Sequence, residues 1–279
     1  MIQDKSMIFM KRLGTCILLI LCALNMLAFD FEHNGFYYNF LDGNDIEVTY
    51  QDYYNDNYEG KTVANIPPDI THLGIEFNVM SIGKCAFWNC ATLSTVNISY
   101  GTEMIEDDAF SKCPALTSVN MPNSVTNIGA RAFLRTALAT ITIPNNVKTI
   151  RESTFSQCES LRSAIIPNSV TTIEKYAFQM CSSLDYIVCN ATDVPQLGVG
   201  VFSGITQSLV TLYVPEESIE QYKSAEQWKE FRTILPLEQV PSALDNVDAS
   251  TRNTQKQFRN GRLLILRDGV EYNALGQEM

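Results

Sequence analysis

A mainly β repeat solenoid with coils of about 23 residues is the fold this sequence predicts, and three features predict it. The first is a recurring isoleucine: Ile82, Ile105, Ile128, Ile150 and Ile173 stand 23, 23, 22 and 23 residues apart. The second is that phenylalanine (Phe87, Phe110, Phe133, Phe155, Phe178) and leucine (Leu93, Leu116, Leu138, Leu161, Leu184) keep the same step. The third is punctuation within the period: a short alternating run such as Val119-Asn120-Met121 meets Pro122, which has no N–H to continue a ladder. A period in this range denotes a stacked array. Each coil is too small to close a core alone, so its apolar residues are buried only by the next coil, and both ends need lids.

Residues 1–28 read as an export signal. Met10-Lys11-Arg12 supplies a basic start, residues 13–27 are nearly all apolar yet too few for a comfortable membrane span, and cleavage falls after Ala28. Met10 is an alternative start; Cys22 raises lipidation as an alternative, against which Leu21 stands where a small residue is expected. Residues 29–77 read as a β cap and a leading half-coil. Asn34-Gly35 between alternating runs is a hairpin signal, Asp42-Gly43 makes a second turn, and Ile46, Val48 and Tyr50 alternate with Glu47 and Thr49 as a half-buried strand does. Tyr50, Tyr53, Tyr54 and Tyr58 pack on the first coil or line a ligand site. In the half-coil, Ile66-Pro67 mimics the later Ile-Pro steps and Leu73-Gly74 turns between two short runs.

Residues 78–237 are the solenoid. Its third coil is one residue short, because Phe133 to Leu138 is five steps where Phe110 to Leu116 is six; the gap is placed at the cysteine position. Ala109-Phe110 reads as a helical or tight turn that inserts its ring into the core. The period loosens from Asn190 to Ser208 and resumes at Leu209. A capping helix is expected over residues 216–235, with Ser218 and Gln221 exchanging capping-box bonds and Ile219, Tyr222, Trp228 and Phe231 at helical spacing. Residues 238–260 are polar and without period, a linker; residues 261–279 read as a β-hairpin tail turning at Asp268-Gly269.

The run Ala109-Phe110-Ser111-Lys112-Cys113-Pro114-Ala115-Leu116, followed by Val119-Asn120-Met121-Pro122-Asn123-Ser124-Val125-Thr126-Asn127-Ile128, resembles the BspA-like leucine-rich-repeat family of secreted bacterial proteins. The resemblance spans about Phe29 to Leu237, and Asp30-Phe31-Glu32 with Gly35-Phe36-Tyr37-Tyr38 is similar to a segment of the family's leading cap. Leu73-Gly74 departs from it, since the family usually has Asn-Gly there. The resemblance implies an extracellular, leucine-rich-repeat-like solenoid without catalytic activity, often adhesive. Residues 272–278 resemble the close of C-terminal sorting domains used in type IX secretion, without the larger sandwich that precedes it there.

Strand alternation sends valine and isoleucine inward and the residue between them outward. The outward row is Asn97, Asn120, Thr142, Ile165, Val188 and Tyr213, which begins polar and ends apolar. Ile165, Val188 and Tyr213, with Tyr186 beside them, form the candidate binding surface; a patch of this kind is either a contact site or is covered by the chain's own C-terminal segment.

Cys90, Cys113, Cys158 and Cys181 occupy one repeat position and form a column, interrupted at the short coil. Buried thiols acting as small apolar fillers are one reading; disulfides between coils, which export permits, are the other. Cys189 stands at an inward isoleucine position, and zinc does not suit a column lacking close C-x-x-C pairs. Only His33 and His72 are present, no nucleophile, phosphate-loop or metalloprotease motif surrounds them, and Glu106-Asp107-Asp108 are neighbours in a turn rather than a pair flanking one bond. Net charge is −11, with eight carboxylates and no lysine or arginine between Phe29 and Gly60, which argues against nucleic acid as a partner. The expectation is therefore an exported protein, at the cell surface, released, or in a periplasm. It has no enzyme activity, cofactor, metal site or membrane span in mature form, and it recognises an extracellular protein or glycan. A structural envelope spacer and a hydrolase are the alternatives.

Overall fold

The computed structural model describes residues 29–51 and 58–240, and the backbone of three strands within residues 255–272. The export segment, Tyr53, Tyr54, most of the expected linker and residues 273–279 lie outside the described residues. The chain divides into two compact units, Met1–Leu237 and Glu238–Met279.

The leading cap begins with β1 (Phe31–His33) and β2 (Phe36–Phe40), antiparallel, with Asn34 and Gly35 both in the left-handed region at φ 51° and 74°. Positive φ at both central residues gives the turn the twist of the flanking strands. β3 (Asp45–Thr49) returns antiparallel to β2. Tyr58 is buried, stacks on Phe87 at 4.5 Å and donates its hydroxyl to the carbonyl of Thr49. After β4 (Val63–Ile66), the hairpin of β5 (Asp69–His72) and β6 (Ile75–Ile82) turns through Leu73 and Gly74 at φ 51° and 78°. β3 pairs in parallel with β6, so the cap is continuous with the first coil's sheet.

Each following coil contributes two short strands and one turn. The strands are β7 (Thr95–Ile98), β8 (Met104–Ile105), β9 (Ser118–Asn120), β10 (Asn127–Ile128), β11 (Thr140–Thr142), β12 (Thr149–Ile150), β13 (Ser163–Ile166), β14 (Thr172–Ile173), β15 (Tyr186–Cys189), β16 (Gln196–Leu197) and β17 (Thr211–Val214). One set of parallel ladders is β4-β7-β9 and β11-β13-β15-β17; the other is β6-β8-β10 and β12-β14-β16. The third side of every coil is a turn, not a helix, in which backbone amides donate to the next coil: Phe87, Phe110, Phe133, Phe155 and Phe178 donate to Ala109, Ala132, Thr154, Ala177 and Val201. The phenylalanine rings stack in one file at 5.2, 5.4, 5.5 and 5.4 Å.

Two expectations about the array change. The period does not lapse after Cys189: β16 pairs with β14, and Phe202 continues the ring file 6.1 Å from Phe178. The step lengthens to 24 and Leu197 replaces isoleucine, which hides the coil in the sequence. The short coil keeps its cysteine position. Thr136 is buried there and hydrogen-bonds the Phe133 carbonyl and Cys158 Sγ, so the missing residue falls between Thr136 and Leu138, where Ala137 stands alone.

The trailing lid holds a much shorter helix than the one expected over residues 216–235. A 3-10 turn at Glu216–Ser218 leads into α1 (Ile219–Ser224), a second 3-10 turn spans Trp228–Glu230, and β18 (Thr233–Pro236) then pairs in parallel with β17. Ser218 does not form the capping box; its hydroxyl donates to the Thr192 carbonyl at 2.8 Å, a bond to the last coil that competes with the local one. Tyr222, Trp228 and Phe231 are buried, and Trp228 Nε1 donates to the Pro195 carbonyl at 3.0 Å. In the second unit, β19 (Gln255–Arg259) pairs antiparallel with β20 (Arg262–Arg267), and β20 with β21 (Val270–Tyr272). The expected linker therefore ends before Gln255, because that segment completes a three-stranded sheet.

Candidate recognition surface

Register places the outward row as alternation requires. Asn65 faces Asn97 and Asn97 faces Asn120; across the second block Thr142 faces Ile165, Ile165 faces Val188, Val188 faces Tyr213 and Tyr213 faces Leu235. At the amide end, Asn97 Nδ2 donates to Asn65 Oδ1 at 2.8 Å. At the apolar end Tyr186 lies one row over, and its ring meets that of Tyr213 edge to face at 6.2 Å and 75°. Such geometry sets the positive ring edge against a negative face. Ile165 and Tyr186 are half-buried, whereas Val188 and Tyr213 retain only 8% and 7% exposure, so the first two form the accessible part and the second two the floor. Leu235 extends this row one place beyond Tyr213, because β18 occupies residues at which a helix was expected.

The other chemistry-bearing residues serve the stack. Cys113, Cys158 and Cys181 each donate Sγ–H to the phenylalanine carbonyl of the preceding coil, at 2.9, 3.1 and 3.2 Å. Burial raises the Cys158 thiol to about 11 and raises Cys181 well above its ordinary value. A thiol held protonated is a poor nucleophile and metal ligand. Cys189 contacts the Tyr222 hydroxyl at 3.2 Å, tying the array to its lid, so it is more than filler.

The three adjacent carboxylates separate in the same way. Glu106 accepts from the Lys84 amide at 3.2 Å, Asp107 accepts from the Ala130 amide at 2.8 Å, and Asp108 forms a two-pronged pair with Arg131, whose nearer contact is 2.8 Å. Each one bridges neighbouring coils. His72 stacks on Phe31 at 4.2 Å, and burial together with His33 lowers its pKa. Glu47, half-buried beside Asn39, has its pKa raised by burial. Gly198 of the Gly198-Val199-Gly200 run marks a close coil contact, since an added Cβ would collide with the Lys175 amide nitrogen. Among the described residues no three His, Cys, Asp or Glu side chains converge as a metal site, and no helix is long and apolar enough to cross a membrane.

The profile of the BspA type leucine rich repeat region matches in six copies, over residues 64–185 and 103–225. No curated protein matches the sequence. Among solved structures, a leucine rich cell surface protein of Faecalibacterium prausnitzii A2-165 aligns with TM-score 0.50 and 21% identity over 89% of this chain and 59% of that one. The pneumococcal vaccine antigen PcpA aligns with TM-score 0.54 and 20% identity over 68% and 50%. The leucine rich repeat protein of T. pallidum aligns with TM-score 0.53 and 25% identity over 62% and 88%. The chain thus spans between half and three fifths of the first two proteins.

Proposed function

The chain belongs to the BspA-type leucine-rich-repeat family, and from that premise we propose that it is an exported protein that recognises an extracellular protein or glycan without catalysing a reaction. The observation that carries the reading is the register of Ile165, Val188, Tyr213 and Leu235, four apolar side chains side by side on the outward face of a rigid sheet, with Tyr186 edge-on to Tyr213. Neighbouring strands lie about 4.8 Å apart, so these side chains form one unbroken stripe. A contiguous apolar stripe on an otherwise polar face is what contact sites present. Export is supported by Met10-Lys11-Arg12 and the apolar run that follows. The absence of activity is supported by the engagement of the thiols and of Glu106, Asp107 and Asp108 in coil-to-coil bonds.

The test is binding of wild type and of Ile165→Asp with Tyr186→Ala to glycan and extracellular-protein arrays, with thermal melting measured in parallel. Loss of at least one wild-type ligand at unchanged Tm supports the reading; identical profiles overturn it. A second reading, an envelope spacer with no ligand, is favoured by the low exposure of Val188 and Tyr213, and predicts an empty wild-type array.

A further inference from the structure

The array is not uniformly bonded. Both strand ladders stop at one boundary: β9 does not pair with β11, and β10 does not pair with β12, although β4-β7-β9, β11-β13-β15-β17, β6-β8-β10 and β12-β14-β16 are each continuous. On the strand sides of this boundary one long backbone bond remains, from the Ala139 amide to the Thr117 carbonyl at 3.5 Å; the other links use side chains, with the Asn145 amide donating to Asn123 Oδ1 at 2.9 Å, Asn146 Nδ2 to the Asn123 carbonyl at 2.6 Å and Arg151 Nε to Asn127 Oδ1 at 3.1 Å. The turn ladder crosses the same boundary intact, with Arg131, Phe133 and Arg135 donating to Glu152, Thr154 and Ser156 at 3.0, 2.9 and 3.0 Å.

Burial independently marks the same place. The inward position of Val119 is fully buried in the neighbouring coils, where Val96, Ala164, Ile187 and Leu212 are at 0% exposure and Ile141 at 2%. The inward position of Met121 is likewise buried at Ile98, Ile143, Ile166 and Cys189. Val119 and Met121 are the exceptions, both only partly buried. The missing residue falls at the same boundary. With Ala137 alone between Thr136 and Leu138, the link from turn to strand is one residue short, and the β11 coil does not settle over β9 as its neighbours do.

We infer that this boundary is a bending joint. The block that ends at β9 and β10 and the block that begins at β11 and β12 tilt about the turn ladder and the Phe133–Phe155 ring contact. The open side faces Val119 and Met121. In the outward row the joint separates Asn65, Asn97 and Asn120 from Thr142, Ile165, Val188 and Tyr213, a block that turns apolar at Ile165. The joint therefore divides that face into an amide platform and an apolar platform that move as separate bodies.

Hydrogen exchange on the full chain tests it. Exchange from peptides covering β9 to β12 is expected to be about tenfold faster than from peptides covering β13 to β16, with the turn amides of residues 131–135 slow. A staple, Ser118→Cys with Thr140→Cys, links the pair that an unbroken register would set opposite one another, and its oxidation is expected to remove the difference. Equal protection in the two wild-type regions overturns the joint, and so does fast exchange that persists in the oxidised staple.

Discussion

In every turn two residues four apart take left-handed backbone: Cys85 and Asn89, Asp108 and Lys112, Arg131 and Arg135, Ser153 and Gln157, Tyr176 and Met180, Gly200 and Gly204. An L-residue with a side chain loses about 1–2 kcal/mol there. What offsets the cost is direction, since in the first five turns the amide of each of these residues donates to the next coil. Ser153→Gly should accordingly raise stability by up to about 1 kcal/mol in urea unfolding, reduced by the entropy that glycine adds to the unfolded chain. Gly200→Ala should lower it by about 2 kcal/mol, because it adds both the backbone penalty and a Cβ 2.9 Å from Tyr176 Cε1. The thiol column has its own signature. Cys158 titrates near 11 when folded against 9.0 ordinarily, so the folded state keeps a proton that the unfolded state has lost. Its contribution is complete below pH 9 and disappears as pH rises to 11. Melting temperature should fall across that window, and the slope, compared at equal salt, should be shallower in Cys158→Ala.

At the scale of elements, the lids are fastened by bonds that local sequence patterns misassign. Ser218 has the spacing of a helix cap but holds the last coil through Thr192. Ser218→Ala should therefore cost about 1 kcal/mol while the circular dichroism of α1 stays unchanged. A variant that loses helical signal would restore the capping role. Period and alternation made the coils, the inward residues and the outward row legible from Ile82 to Ile187, because every coil repeats the same burial problem. The Asn34-Gly35 hairpin was legible because its turn chemistry is local. Other elements hid for physical reasons. The Gly198–Gly204 turn uses glycine where its predecessors use side chains, so it read as a loop. β18 follows a helical spacing of aromatics, and its strand character comes from pairing with β17, a tertiary contact. In the candidate surface the positions were legible but their depth was not: the rings of Tyr186 and Tyr213 meet across strands, and Val188 and Tyr213 are both nearly out of solvent.

Across the first unit, stability in a stacked array is a sum of coil and neighbour terms, so its cooperativity depends on the weakest boundary. On the inference of a joint, the weakest boundary is the one that no strand ladder crosses, between β10 and β12. The chain carries two tryptophans, one on each side of it: Trp88 before the joint and Trp228 in the trailing lid. Trp88→Phe and Trp228→Phe give two chains, each reporting one block by fluorescence. Leu212, fully buried in β17, is far along the second block; its replacement by alanine should cost about 2–5 kcal/mol where it acts. If neighbour coupling is weak at the joint, Leu212→Ala moves the denaturation midpoint reported by Trp228 and leaves that reported by Trp88 nearly in place. A rigid, evenly coupled stack instead transmits the loss to both, and equal shifts in the two single-tryptophan chains would show that the unbroken turn ladder and ring file suffice to hold all the coils as one cooperative body.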